Sequence, residues 1–218
     1  MSLKQGIVDR FAKLLKESDE HSAPHHGVRL SGDACRLCKR LFSFIEMRLV
    51  GPQIDTDALE LACYALQLPS RQIGISSSGK FVRMSLRDRC EQAAELMVSL
   101  FANHVDETLL DRAARLLHEA PQRSPMLDEA RLLADAVNLD DFGVIGLLNQ
   151  AIQLSLQGEG IAELAVAAEK REQYGYWEAR LKDGFHFEPV RQIAHLRLAE
   201  ARQINAMLFE QLGEDRKS

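Results

Sequence analysis

The sequence predicts an all-α protein, and three observations carry that expectation. Apolar residues recur at spacings of three and four through most of the chain, the signature of helices that turn one face to a core. No stretch alternates apolar and polar side chains for long enough to build a sheet. Glycine and proline punctuate the periodic stretches at Gly51-Pro52, Pro69 and Asp183-Gly184, where helices stop.

With 218 residues, 46% of them hydrophobic, the chain is long enough for one large helical domain spanning 1–218. Leu3–Lys16 reads as an amphipathic first helix, and Glu17–Gly27, rich in Ser, Pro and His, as a loop. Residues 1–27 thus form an N-terminal helix and loop. A second helix is predicted over Gly32–Leu49, and Asp55 or Thr56 caps a third, whose core face uses Leu59, Cys63 and Leu66 before Pro69 ends it. Ser70–Met84 is a polar insertion rich in Gly and Ser, after which Ser85 and Asp88 open a helix over Leu86–Ala102 in the manner of a capping box.

Further helices are expected at Asp106–Glu119, Pro125–Asn138, Phe142–Leu156, Ile161–Leu181 and Glu188–Leu212. The last two form a C-terminal helical hairpin over 160–212, turning at Asp183-Gly184, because short connections favour neighbours. No internal repeat or low-complexity tract interrupts this order.

Charge narrows the partners. The net charge is −5 with both signs interspersed, so no basic stripe is available to neutralise a phosphate backbone and nucleic acid is not an expected partner. No apolar run approaches the ~20 residues that span a bilayer, and no apolar segment of a secretory leader opens the N-terminus. A cytoplasmic protein without a membrane partner is expected. Cys35, Cys38, Cys63 and Cys90 all fall in helix-like segments, which fits reduced, buried thiols. Cys35 and Cys38 do form a C-x-x-C, but neither a second such pair nor a strand before it supports zinc or redox chemistry.

One stretch carries chemistry. From Asp135 to Gly146 the chain reads Asp-Ala-Val-Asn-Leu-Asp-Asp-Phe-Gly-Val-Ile-Gly, preceded by the helix text LDRAARLLHE at Leu110–Glu119. The Arg- and Lys-laced segment Tyr174–Leu212 follows, and ELACYALQLP stands at Glu60–Pro69. Together these resemble the HD-domain phosphohydrolases over roughly 30–212. The resemblance implies an HD-domain-like multi-helix bundle that holds one or two divalent metals (Mn, Fe, Mg or Zn) through a His, a His-Asp dipeptide and a final Asp. Asp135 takes the place of that final Asp.

The other ligand positions depart from the pattern. Where the family writes its His-Asp dipeptide this chain has Leu66-Gln67; a leucine has no lone pair, and a glutamine amide oxygen is a neutral, weak donor. The first family His aligns in one register with Leu30 and in another with His26, the second placing Arg29 where the family often has arginine. Val137 replaces a second carboxylate that the branch commonly carries. A retained site therefore has at most His26 and Asp135 as metal ligands, and no cofactor is expected otherwise. The alternative role for Asp135 is structural, as an acceptor for backbone N–H groups or a partner for an arginine such as Arg36 or Arg115.

Three other groups merit a reading. His21, His25 and His26 cluster in the first loop, and His118 at a helix end stands either as a dipole-stabilised cation or as an auxiliary ligand or general acid near Asp135. Gly74–Lys80 begins like a phosphate loop, but Phe81 occupies the position of the magnesium-binding hydroxyl. Arg71, Lys80 and Arg83, with Arg29, remain candidates for an anion or phosphate. Tyr174, Tyr176, Trp177, Phe185 and Phe187 gather near the C-terminal hairpin, either as packing or as a surface for a homodimer.

The expectation is a degenerate HD-like protein, a non-catalytic binding or regulatory module whose ligand is a small phosphorylated molecule or a protein. Its rivals are a metal-dependent phosphohydrolase with shifted ligands at His26, His118 and Asp135, and a dimeric structural protein.

Overall fold

The structure is a computed structural model and describes residues 3–17, 26–51, 53–71 and 84–215. Among them it is all-helical, with no strand. The helices are α1 (Gln5–Glu17), α2 (His26–Glu46), α3 (Thr56–Ala65), α4 (Leu86–Phe101), α5 (Glu107–Glu119), α6 (Asp128–Asp140), α7 (Gly143–Leu156), α8 (Ile161–Gln173), α9 (Tyr176–Asp183) and α10 (Glu188–Asp215), with a short 3₁₀ turn at Leu68–Arg71. No helix is long and apolar enough to cross a membrane among the described residues. By internal contact the described residues divide into two compact units, one of residues up to Ala134 and one from Asp135 onward.

The first unit is organised around α3, which packs on α2, α4 and α5. Apart from Asp57 and Glu60 its residues are apolar or small, and from Leu61 through the turn to Pro69 every residue is buried, as expected of a segment placed at the centre of a core. Phe11 of α1 lies fully buried and stacks on Phe101 at 4.2 Å and on Tyr64 at 5.3 Å between ring centroids. Burial of such a ring contributes about 2 to 3 kcal/mol and fixes α1 to the unit.

The helix starts follow local chemistry. Asp55 accepts the Ala58 amide at 2.9 Å, Ser85 accepts that of Asp88 at 3.1 Å, and Asp106 accepts that of Thr108 at 3.0 Å. Each satisfies an amide that the first helical turn leaves without a partner.

Two boundaries differ from the sequence expectation for physical reasons. α2 begins at His26 rather than Gly32; Gly27 and Gly32 weaken the helical pattern without stopping it. α6 begins at Asp128 rather than Pro125, because the Glu119 carboxylate takes the amides of both Met126 and Leu127 at 2.9 Å and holds them ahead of the helix.

The second unit packs α7, α8, α9 and α10 around Phe142 and Phe185. Val190, Ala194, Leu198 and Ala201 make the buried stripe of α10, spaced at four, four and three as an amphipathic helix requires. The helix predicted over Ile161–Leu181 is broken into α8 and α9 at Gly175, whose φ of 60° and ψ of 28° are left-handed. Glycine adopts that conformation without the Cβ clash that restrains other residues, so the chain turns there.

α10 returns alongside α8 and α9 and packs most closely on α7. Gly143 of α7 permits that approach, since a Cβ there would lie 2.9 Å from Cβ of Arg197. The aromatic residues near the C-terminal segment mostly pack inward. Phe142 sits 4.9 Å from Trp177 and 5.4 Å from Phe185, while Tyr174 is exposed.

Candidate functional site

Asp135 is fully buried in α6. Its Oδ1 accepts the amide of His186 at 2.8 Å and its Oδ2 that of Phe187 at 3.0 Å. The Phe187 carbonyl accepts the amides of Val190 and Arg191, so Phe187 is the residue that opens α10, and Asp135 faces the positive end of that helix.

Burial raises the carboxyl group from 3.8 to about 6, against the opposing pull of the His186 and Phe187 amides and the Arg191 charge. Two amide donors and one nearby guanidinium are not enough to offset the desolvation of this carboxylate.

The same helix face continues the clamp. One turn on, Asn138 donates to the Gly184 carbonyl at 2.6 Å, and Arg180 donates to the Asn138 side-chain oxygen. Arg180 also pairs with Asp141 at 2.7 Å and donates to the Tyr176 hydroxyl at 2.9 Å, its guanidinium lying over the Phe142 and Tyr176 rings. Arg191 closes the turn from the other side by donating to the Phe185 carbonyl at 3.0 Å. The stripe Asp135, Asn138 and Asp141 thus fastens the segment from α9 to the first turn of α10 to the end of α6.

The two arginines that the sequence offered to Asp135 are committed elsewhere. Arg36 pairs with Asp33 at 2.7 Å and Arg115 with Glu119 at 2.9 Å, both carboxylates a single helical turn away. Leu66 and Gln67, where the sequence resemblance expects a ligand dipeptide, are buried, and Arg89 donates to the Leu66 carbonyl at 2.8 Å and to the Gln67 side-chain oxygen at 3.3 Å. Both residues serve the packing of the first unit.

His118 is exposed at the end of α5. His26 opens α2, but the side chains of His26 and Arg29 lie outside the described residues, as do Lys80, Arg83, His21, His25 and the Gly74–Lys80 segment. Arg71 closes the 3₁₀ turn, its side chain likewise outside. Among the described residues no group of three or more His, Cys, Asp and Glu is placed to hold a metal ion.

The four cysteines are free. Cys38, Cys63 and Cys90 are buried, and Cys35 shares a hydrogen bond with the Tyr64 hydroxyl at 3.2 Å. Burial pushes the Cys90 thiol up to about 12, which keeps it protonated and unreactive.

Two buried carboxylates carry weight that the sequence did not mark. Glu119 accepts the Met126 and Leu127 amides and the Arg115 guanidinium. Burial pushes its carboxyl toward the protonated form, but the Leu127 amide, Arg115 and the Met126 amide together outweigh burial and hold its pKa below the usual carboxylate value. Glu129 accepts from Arg112 at 2.7 Å and from the Asp55 amide at 3.2 Å. The only signal for Glu129 was its place among the acids of the first turn of α6.

Within the second unit a recess lined by Gln150, Arg171, Trp177, Arg202 and Asn205 has an interior of about 20 Å³, room for a single water-sized group rather than a substrate. Comparison with protein-family models, with curated proteins and with solved structures finds no match to this chain.

Proposed function

We propose that this chain is an HD-like helical protein that acts as a non-catalytic binding or regulatory module, its metal site given over to packing. The observation that carries this reading is Asp135, both of whose carboxylate oxygens are engaged by the His186 and Phe187 amides. A metal ligand is oriented toward its ion, and here one bond on each oxygen turns the carboxylate toward the start of α10. Leu66 and Gln67 support the same reading, since neither brings the negative charge that offsets the desolvation of a divalent cation.

A small phosphorylated molecule is the ligand class favoured by the resemblance, with Arg29, Lys80 and Arg83 as the cationic side chains to neutralise by substitution. A cytoplasmic location belongs to the same reading.

The test is metal analysis of the purified full chain, followed by assay with nucleotides and a generic phosphoester in added Mn, Fe, Mg or Zn. The expected result is no stoichiometric metal and no turnover above that of Asp135→Asn. About one bound metal per chain, with metal-dependent hydrolysis lost in a folded Asp135→Asn variant, would establish the rival phosphohydrolase with Asp135, His26 and His118 as candidate ligands.

A further inference from the structure

Cys35 and Cys38 lack the strand of a thioredoxin-like site, but the structure turns both thiols toward one stretch of α3. Cys35 Sγ lies 3.2 Å from the Tyr64 hydroxyl, and Cys38 Sγ lies 4.0 Å from the Glu60 carbonyl. Glu60 and Tyr64 are one turn apart on α3, as Cys35 and Cys38 are on α2, so the two sulfurs share a face. Of the four thiols, Cys38, Cys63 and Cys90 are buried and Cys35 is partly exposed.

The spacing suits a bond within the pair. Residues three apart in an α-helix have Cα atoms about 5 Å apart, inside the range of about 4.4 to 6.8 Å that a disulfide spans. Their Cβ atoms, at about 5 to 6 Å, stand wider than the roughly 3.5 to 4.5 Å of a disulfide. Closure therefore tightens the turn toward the 3₁₀ form, in which side chains three apart eclipse. A bond formed under that strain is readily reduced. Gly32, one turn ahead of Cys35 with open space around it, lowers the resistance of α2 to the change. Burial, then the hydrogen bond with Cys35, holds the Tyr64 phenol well above its usual value, so its hydroxyl stays a donor facing the sulfur as negative charge develops there.

We infer that Cys35 and Cys38 form a reversible dithiol–disulfide site whose oxidant is a small hydroperoxide such as hydrogen peroxide. The Cys35 thiolate attacks one peroxide oxygen, the O–O bond breaks, and the departing hydroxide takes up the thiol's proton as water. Cys35 is left as a sulfenic acid. The Cys38 sulfur then attacks the Cys35 sulfur, the S–O bond breaks, and the hydroxyl leaves with the Cys38 proton as a second water. Two thiols and one peroxide become one disulfide and two waters, the sulfurs together giving two electrons to the peroxide oxygens. A thiol reductant reverses the bond by exchange.

The test treats the folded full chain with hydrogen peroxide, blocks the remaining thiols in denaturant, and digests with trypsin without reductant. Trypsin cuts after Arg29, Arg36 and Lys39, so the bond joins peptides 30–36 and 37–39. The expected result is the loss of two of the four thiols, with that joined pair in a chain that stays single on a non-reducing gel. Dithiothreitol should separate the pair, and Cys63 and Cys90 should be recovered as thiols. A folded Cys38→Ser variant, which has no sulfur to close the bond, should take dimedone at Cys35.

Four thiols still free after treatment would overturn the inference, as would Cys35 carried to sulfinic acid with Cys38 still free. So would a pair joined only between two chains, a bond to Cys63 or Cys90, or a folded Cys38→Ser variant that takes no dimedone at Cys35. The principal readout is on the wild type and stands whether or not the variant folds.

Discussion

Removing the Asp135 carboxylate separates its two readings. Asp135→Ala leaves the His186 and Phe187 amides without their acceptor. A buried donor left unpaired costs about 1 to 3 kcal/mol. His186 stands at the surface, so water reaches part of the gap, and the loss of the carboxylate relieves its own burial. The net cost is therefore about 3 kcal/mol, near the lower part of the summed range. For a chain of this size that lowers Tm by about 6 to 12 °C.

Asp135→Asn keeps one acceptor oxygen and turns a donor toward the second amide, so it costs about 1 to 3 kcal/mol. Trp177, the only tryptophan of the chain, packs on Phe142 in the same unit and reports the melt. Amide exchange at His186 and Phe187 should quicken in the alanine variant.

The pH dependence has a fixed sign. The folded carboxyl is raised from 3.8 to about 6. Its contribution to stability is therefore fully present below about 3.8 and lost as pH rises through about 6. The advantage of wild type over Asp135→Asn, which does not titrate, should be larger at pH 5 than at pH 8 by on the order of 1 kcal/mol. A Tm for Asp135→Ala within about 1 °C of wild type, with both amides still protected, would refute the clamp, because two lost acceptors cannot be thermally silent.

Other expected outcomes rest on separate observations. Glu119→Ala removes the acceptor for the Met126 and Leu127 amides and for Arg115, and should cost about 3 kcal/mol by thermal melting. Because the Glu119 carboxyl is held low, its contribution is present above the usual carboxylate value and lost as pH falls through the folded one; melts in acid should show wild type converging on the variant. Gly175→Ala forces a side chain into a left-handed position with open space around it, so it should cost about 1 kcal/mol, conformational in origin. Gly146→Ala meets the Asp141 carbonyl and should cost more than Gly175→Ala, about 2 to 3 kcal/mol, by denaturant unfolding followed at Trp177.

What the sequence revealed of the fold was what lies within a few residues. Asp55 and Ser85 were readable as caps because a cap acts on an amide two or three positions away. The break at Gly175 was hidden by an apolar rhythm that continues through it, although an isolated glycine within a helical pattern is the usual warning. Of the distant acceptors, Asp135 could be offered to backbone amides in general, but which amides could not be read. Asp135 reaches the amides of His186 and Phe187, and Glu119 those of Met126 and Leu127; a backbone amide has no letter of its own, so nothing in the sequence marks it as a partner. The arginine partners suggested for Asp135 failed because Arg36 and Arg115 each had a carboxylate within one helical turn, and local pairs form before distant ones.

The Asp135–Gly146 motif combines two kinds of information in different letters. Leu139 and Phe142 are fully buried, Gly143 takes a φ of 80° beside Arg197, and Gly146 lies against the Asp141 carbonyl. These residues are needed to turn α6 into α7 and to seat α10, whether or not a metal is bound. Asp135 is ambiguous in the same way, since a carboxylate that holds a helix start and one that holds a cation are written alike. Under the proposed reading the dipeptide position is not ambiguous. A His-Asp pair has no packing use that would favour it in the buried turn after α3, because each charge or polar ring would need its own partner there. Leucine and glutamine at 66 and 67, buried at 0% and 4%, fill that place at little cost once no cation has to be held. Under the proposed reading, the architecture of such a motif therefore outlasts its chemistry, and the residues that discriminate an enzyme from a binding module lie at Leu66-Gln67, far in sequence from the carboxylate that first draws attention.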